Sequence, residues 1–339
     1  MNQNLVKFPL VAWLPIRRKL HHSWEFEDDV DALSDFKDNA RSSLSRLNPS
    51  LGLTSVIEET PPNNIIQAVC RNNEWFIDSI IDQFCYFVKV DLTCEIDLLT
   101  LNHGDEKNRD MLAWSCAGAE AASDIAFLLQ LMALAAPGRL AALTGVLSVG
   151  DLIFYPIKIP TSSGGRHLDK DRNELWPKLT RIPLLSVSLW EQQLGICSKG
   201  FGTTAVAKAF VSFTHMVNCD LGANEIRLFW AMQGLEALYC SGSGDLRRQL
   251  RDKIGIFLGD LPVGKNIIGN LYDFRSKFVH GDAIFARSGF GSELNENDVH
   301  DESKMGETAS FAYRLLIASL QKCSSENRTD LKFESVLVD

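Results

Sequence analysis

The chain has 339 residues, 45% of them hydrophobic and 23% charged, a composition that supports one large or two ordinary globular domains with a real core. A formal net charge of -9 and a pI near 5.3 exclude a protein that coats nucleic acid through bulk charge, so any nucleic-acid contact is confined to a local basic site. Eight cysteines are scattered without a C-x-x-C pair or zinc-type spacing, the pattern of reduced, mostly buried thiols in the cytoplasm.

Residues 5–16 (LVKFPLVAWLPI) favour a first strand, which Pro9 and Pro15 are expected to confine to an edge or a bulged course. Those prolines, the following Arg17-Arg18-Lys19 and the lack of a small-residue cleavage site argue against a signal peptide. The acidic stretch Glu25 to Asp31 leads into a surface helix through about Leu47 and reads as a solvated face. After a break at Pro61-Pro62-Asn63-Asn64, the mixed apolar spacing from Ile65 to Val90 predicts helix, and Leu92 to Leu101 a strand. In the turn Asn102-His103-Gly104-Asp105, the histidine beside an aspartate reads as an exposed turn residue rather than an acid/base pair.

A long Ala-rich helix is predicted near Asp110 to Ala136, closed by Pro137-Gly138. Together with Arg139, that break leaves the apolar region Ile125 to Gly150 without the unbroken span of roughly 20 residues that a membrane helix needs, and no membrane partner is expected. Leu140 to Ile159 predicts one or two strands. The Gly/Ser loop Thr161 to His167 lacks both the G-x-x-x-x-G-K-[ST] pattern and the helix start of a phosphate cradle. Neither a G-x-S-x-G elbow nor a His-Glu-x-x-His zinc motif occurs, which removes support from those hydrolase classes; no cofactor or metal is implied.

Beyond about residue 200 the pattern becomes helical throughout. The expected organisation is α+β overall: an N-terminal mixed α/β sensing or regulatory domain over residues 1–200, an all-α bundle over 201–325 and a tail over 326–339. Val206, Phe210, Phe213 and Val217 mark one core stripe, Leu228, Met232, Leu235 and Tyr239 the next, and Leu250, Ile254 and Phe257 a third. The third helix is capped by Asp245 and carries Arg247, Arg248, Arg251 and Lys253 on its outer side. The next helix is predicted to bury Ile267, Leu271, Phe274 and Phe278, with Arg275 at the edge of that stripe and His280 just before a helix stop at Gly281. After a polar loop, Ser288 to Met305, a last helix is predicted from about Glu307 to Lys322.

Arg275 and His280 are the chemically distinctive residues. A histidine suits proton transfer near neutral pH, and a guanidinium offers a planar fork of donors to a phosphate. Five residues along a continuous helix correspond to an offset of about 140°, so the stop at Gly281 is what would let the imidazole turn toward the arginine.

Phe229-Trp230-Ala231-Met232-Gln233-Gly234-Leu235-Glu236-Ala237-Leu238, the stretch Leu271 to Gly281 and the closing Tyr313-Arg314-Leu315-Leu316 together resemble the HEPN superfamily, in particular its Apea-like branch. The resemblance covers about residues 204–322. It implies a metal-independent endoribonuclease of the toxin or anti-phage (antiviral) defence kind, with Arg275 and His280 as the catalytic pair, in a symmetric homodimer that joins two such pairs in one cleft. It further implies that Glu236 orients the pair, with Ser276 and Asp282 as supporting residues. Arg247, Arg248, Arg251, Lys253 and Lys277 would hold the RNA backbone, and a regulatory partner protein is compatible with this class. Family toxins silenced by a nucleotidyltransferase antitoxin carry Tyr two residues after the histidine; here Asp282 stands there, so that control is not implied. The alternative is a non-catalytic HEPN module for oligomerisation, ligand or nucleic-acid binding.

Overall fold

The computed structural model describes residues 5–17, 23–72, 85–98, 106–138, 144–149, 153–157, 176–219, 224–242, 244–259, 267–282 and 296–333. The turn at 102–105 and the loop at 161–167 lie outside them. The fold is α+β. It divides into two compact units, one of residues 1–162 and 183–189, the other of 163–182 and 190–339.

The first unit is built on a five-stranded antiparallel sheet in the order β2-β3-β1-β4-β5, with β1 Leu5–Arg17, β2 Leu51–Glu58, β3 Cys85–Asp97, β4 Gly145–Val149 and β5 Ile153–Ile157. Its helices are α1 Ser23–Leu47, α2 Asn63–Asn72 and α3 Glu106–Ala135. Alternation along β1 sends Phe8, Leu10, Ala12, Leu14 and Ile16 to one buried face, where Phe8 meets Trp114 of α3 edge to face at 4.7 Å. The opposite face is covered in part by α2, which joins Ile65, Ala68 and Val69 to Trp13, Phe87 and Val146. Along α3, Ala113, Ala117, Ala121, Ile125, Leu128 and Met132 form a continuous buried stripe. Gly118 of that helix faces Tyr155 and Val149 so closely that a Cβ there would stand 2.7 Å from the valine. Arg109–Ala135 is long and apolar enough to resemble a membrane span, but its stripe packs on the sheet and on α1.

Two expectations change here, and one strand was not foreseen. β1 is an interior strand, not an edge: it pairs with β3 along its whole length and with β4 over Leu10–Trp13. Pro9 and Pro15 flank that four-residue stretch, so neither ring interrupts the β4 ladder. Residues 85–90, predicted helical, belong to β3; Phe87 and Val88 are both buried because helices cover both sides of the sheet there, which erases the alternation. β2 escaped prediction altogether because a bulge between Leu53 and Ser55 cuts its alternation after Leu51 and Leu53. The expected closure of α3 is found, with Gly138 at φ 71° just past its end.

Helix α4, Leu184–Leu194, contains the division between the units. The regular elements among the described residues of the second unit are helices: α5 Ile196–Lys199, α6 Ala205–Val217, α7 Asn224–Tyr239, α8 Leu246–Leu258, α9 Ile267–His280 and α10 Glu296–Ser325. Helix α7 lies at the centre and packs against α6, α8, α9 and α10. Its Gly234 is required by that crowding, since a Cβ would stand 2.8 Å from the Leu316 methyls of α10. All three predicted core stripes of α6, α7 and α8 are buried, and Thr204 and Asp245 cap α6 and α8 through the amides of Ala207 and Arg248.

The unit extends on both sides of the residues assigned to it from sequence. Trp190 stacks edge to face on Phe210 and donates its indole N–H to the Arg328 carbonyl at 2.7 Å. Residues 326–333, expected as a tail, pack on the bundle: Thr204 donates to the Thr329 carbonyl, Asp330 accepts from the Ala205 amide, and Phe333 lies against Tyr239. Helix α10 begins at Glu296 rather than near 307, so much of the predicted loop Ser288 to Met305 is its polar first part.

Candidate active site on helix α9

In α9 the buried apolar side chains among the described ones are Ile268 and Leu271, and Arg275 continues the same line at i, i+3, i+7. Phe274 and Phe278, expected to be buried, are half-buried, and the side chain of Ile267 lies outside the described ones; Arg275 is half-buried as the two phenylalanines are. What makes this tolerable is Glu236 of α7. Its Oε2 accepts from Arg275 Nη2 at 3.3 Å, with side-chain exposures of 16% and 28%. The pair is incompletely satisfied. Arg275 Nε and Glu236 Oε1 are buried with no hydrogen-bond partner among the described residues.

The helix stop is the one expected from Gly281. That residue has φ 77°, its amide donates to the Phe278 carbonyl at 3.3 Å, and the Asp282 amide reaches back to the Lys277 carbonyl at 2.9 Å, the paired bonds of a Schellman motif. His280 is therefore the cap residue. It is exposed, as are Ser276, Lys277 and Asp282. The helix stays regular through His280, so the histidine lies about 140° around the axis from Arg275. No hydrogen bond joins the two among the described residues. The stop ends the helix without turning the imidazole onto the guanidinium of the same chain.

The arginine lies in an antiparallel seam between α7 and α9. Phe229 meets Phe278 at 6.0 Å at one end, Glu236 meets Arg275 in the middle, and the Cys240 thiol lies 3.8 Å from the Tyr272 hydroxyl at the other end. Burial, then the neighbouring Cys240 and Glu236, raises the Tyr272 phenol, and burial raises the Cys240 thiol; both stay protonated at neutral pH. Sequence reasoning missed Tyr272, although it lies one helical turn before Arg275 and so shares its face.

The five cations assigned to RNA do not form one open patch. Arg248 and Arg251 both pair with Asp252, at 3.5 and 2.9 Å. Lys253 donates to Gln249 and lies 5.2 Å from the Phe333 ring, while Arg247 folds over Gly269 of α9 in the room left by the missing side chain. Lys277 lies 5.9 Å from the Phe274 ring. Among the described residues no group of three His, Cys, Asp or Glu side chains is placed to hold a metal ion. Comparison with family models, with curated proteins and with solved structures returned no match.

Proposed function

We propose that the helical unit is a HEPN-type endoribonuclease that works without a metal, assembled from two copies of the chain, with the antiparallel α+β unit as its sensing or regulatory part and phage defence as its setting. The observation that supports this reading is the contrast between the two key side chains. Arg275 is held in the α7–α9 seam by Glu236, while His280 stands exposed at a helix stop. A fixed cation and an accessible base are what RNA cleavage needs. His280 takes the proton from the ribose 2′-hydroxyl, O2′ attacks the adjacent phosphorus, and Arg275 donates to the charged oxygens of the five-coordinate phosphorus. The P–O5′ bond breaks as O5′ takes a proton from water, leaving a 2′,3′-cyclic phosphate and a 5′-hydroxyl.

Because the two residues of one chain diverge by about 140°, the histidine that meets a phosphate on Arg275 comes from the second copy. The decisive measurement is cleavage of total RNA by purified protein in EDTA, beside Arg275→Ala and His280→Ala. Wild type is expected to cleave and each variant to lose at least about a hundredfold, the lower range for a general base. Equal activity in all three, or none in any, overturns the proposal.

A second reading has its own support. The Glu236–Arg275 pair also works as a clamp between two helices, the role it would have in a non-catalytic module for oligomerisation or ligand binding. Absence of cleavage together with unchanged assembly would favour that reading.

A further inference from the structure

Aromatic side chains in the second unit differ in burial. Phe210, Phe213 and Tyr239 are fully buried. Phe278, Phe229 and Trp230 are only half-buried, and they lead to an exposed His215. These four are neighbours in a row: Phe278 to Phe229 at 6.0 Å and tilted by 47°, Phe229 to Trp230 edge to face at 5.4 Å, and Trp230 to His215 stacked at 4.2 Å with the two rings within 14° of parallel. The row runs from the last turn of α9 across the first two turns of α7 to the last turn of α6. It begins three residues after Arg275 and two before His280.

A core does not call for this arrangement. An imidazole laid flat on an indole at the surface extends a planar π face outward, and heterocycles match such a face better than aliphatic side chains do. The cations nearest to it in sequence, Arg275 and Lys277, lie at the α9 end, where a phosphate would be held. We infer that the row Phe278–Phe229–Trp230–His215 is a stacking track for unpaired nucleobases, so that the substrate is single-stranded RNA whose bases lie on α7 and α6 while its phosphate enters at α9. This rests on the ribonuclease reading and names its substrate class. Stacking on rings is insensitive to base identity, so little sequence preference is expected on this side of the scissile phosphate. A duplex, with its bases already stacked on one another, has no faces to offer.

The test uses the full chain and a 2′-O-methylated single-stranded oligoribonucleotide, which binds but lacks the attacking hydroxyl. Wild type should bind it and lose tryptophan fluorescence, and the same oligonucleotide annealed to its complement should bind at least about tenfold more weakly. Trp230→Ala and His215→Ala should each weaken single-strand binding by about tenfold, while Trp230→Phe, which keeps a ring, stays within about threefold of wild type and removes the quench. His215 is exposed, so its variant separates stacking from folding.

Unchanged binding in both alanine variants, or equal affinity for duplex and single strand, overturns the stacking track. So does a change in sedimentation of Trp230→Ala without a change in affinity, which would make the row a contact between copies. Ring-dependent binding without cleavage by the wild type would leave the track standing and remove the nuclease. Cleavage dependent on Arg275 and His280 but indifferent to Trp230 and His215 would do the reverse. No binding to either form removes both.

Discussion

Arg275 and Glu236 share a seam in which each side chain is mostly out of water, so each is costly without the other. Glu236→Ala should destabilise the protein by about 2 kcal/mol, the range for leaving a partly buried charged donor unpaired, and Arg275→Ala similarly. In chemical denaturation the double variant should cost clearly less than the two added together; simple additivity would show that the 3.3 Å pair carries no coupling. A second carboxylate makes a pH prediction. Glu191 is buried and its pKa is raised by burial, against the pull of hydrogen bonds from the Cys197 and Ile196 amides. A raised carboxyl pKa means that the folded state binds the proton more tightly than the unfolded chain. This contribution is fully present below the ordinary glutamate range and is lost as pH rises through the raised value. Thermal unfolding of Glu191→Gln, which keeps an acceptor oxygen, should be flatter than wild type across that window, and a steeper dependence would contradict the assignment. Arg275 was legible in the sequence because a charge on an apolar stripe is conspicuous. Tyr272 was not, because a tyrosine on such a stripe reads as ordinary core.

At the scale of elements, the stop of α9 carries a sharp expectation. Gly281 has φ 77°, so Gly281→Ala should cost about 1 kcal/mol. If His280 depends on the stop for its position, the same change should lower RNA cleavage by more than the lost stability accounts for, as read below the unfolding transition. The helices of the second unit were legible wherever one side faced the core: every predicted stripe residue of α6, α7 and α8 is buried. Legibility failed where that condition failed. The first part of β3 is covered on both sides, so Phe87 and Val88 show no alternation, and the opening of α10 is too polar to show a helical stripe at all. In α9 the expected stripe is buried at Leu271 and half-buried at Phe274 and Phe278, and periodicity cannot foresee that Glu236, 39 residues earlier, makes Arg275 acceptable beside them.

For the whole molecule, the divergence of Arg275 and His280 turns the site into a question about assembly. Arg275→Ala and His280→Ala, each inactive alone, should recover part of the activity when unfolded and refolded together, because a mixed pair still holds one arginine facing one histidine across the two chains. A mixture as inactive as its components would place both groups of each site in one chain. The two-unit organisation was legible as a change from β-favouring to helical composition, but its detail was not. The helical unit takes in Trp190 and residues 326–333 through bonds to backbone carbonyls, and these leave no trace in composition. The prolines of β1 have a consequence of their own. The Ser148 hydroxyl donates to the Val11 carbonyl, so odd-numbered residues of β1 turn their backbone polar groups toward β4, and β4 spans only Leu10–Trp13. Pro9 and Pro15 stand at the next odd positions on that side, where an amide would meet no strand among the described residues and would be open to one from another molecule. A ring without a donor makes both shoulders of the strand poor templates for intermolecular pairing, which guards a nascent or heated chain against aggregation through its own central strand.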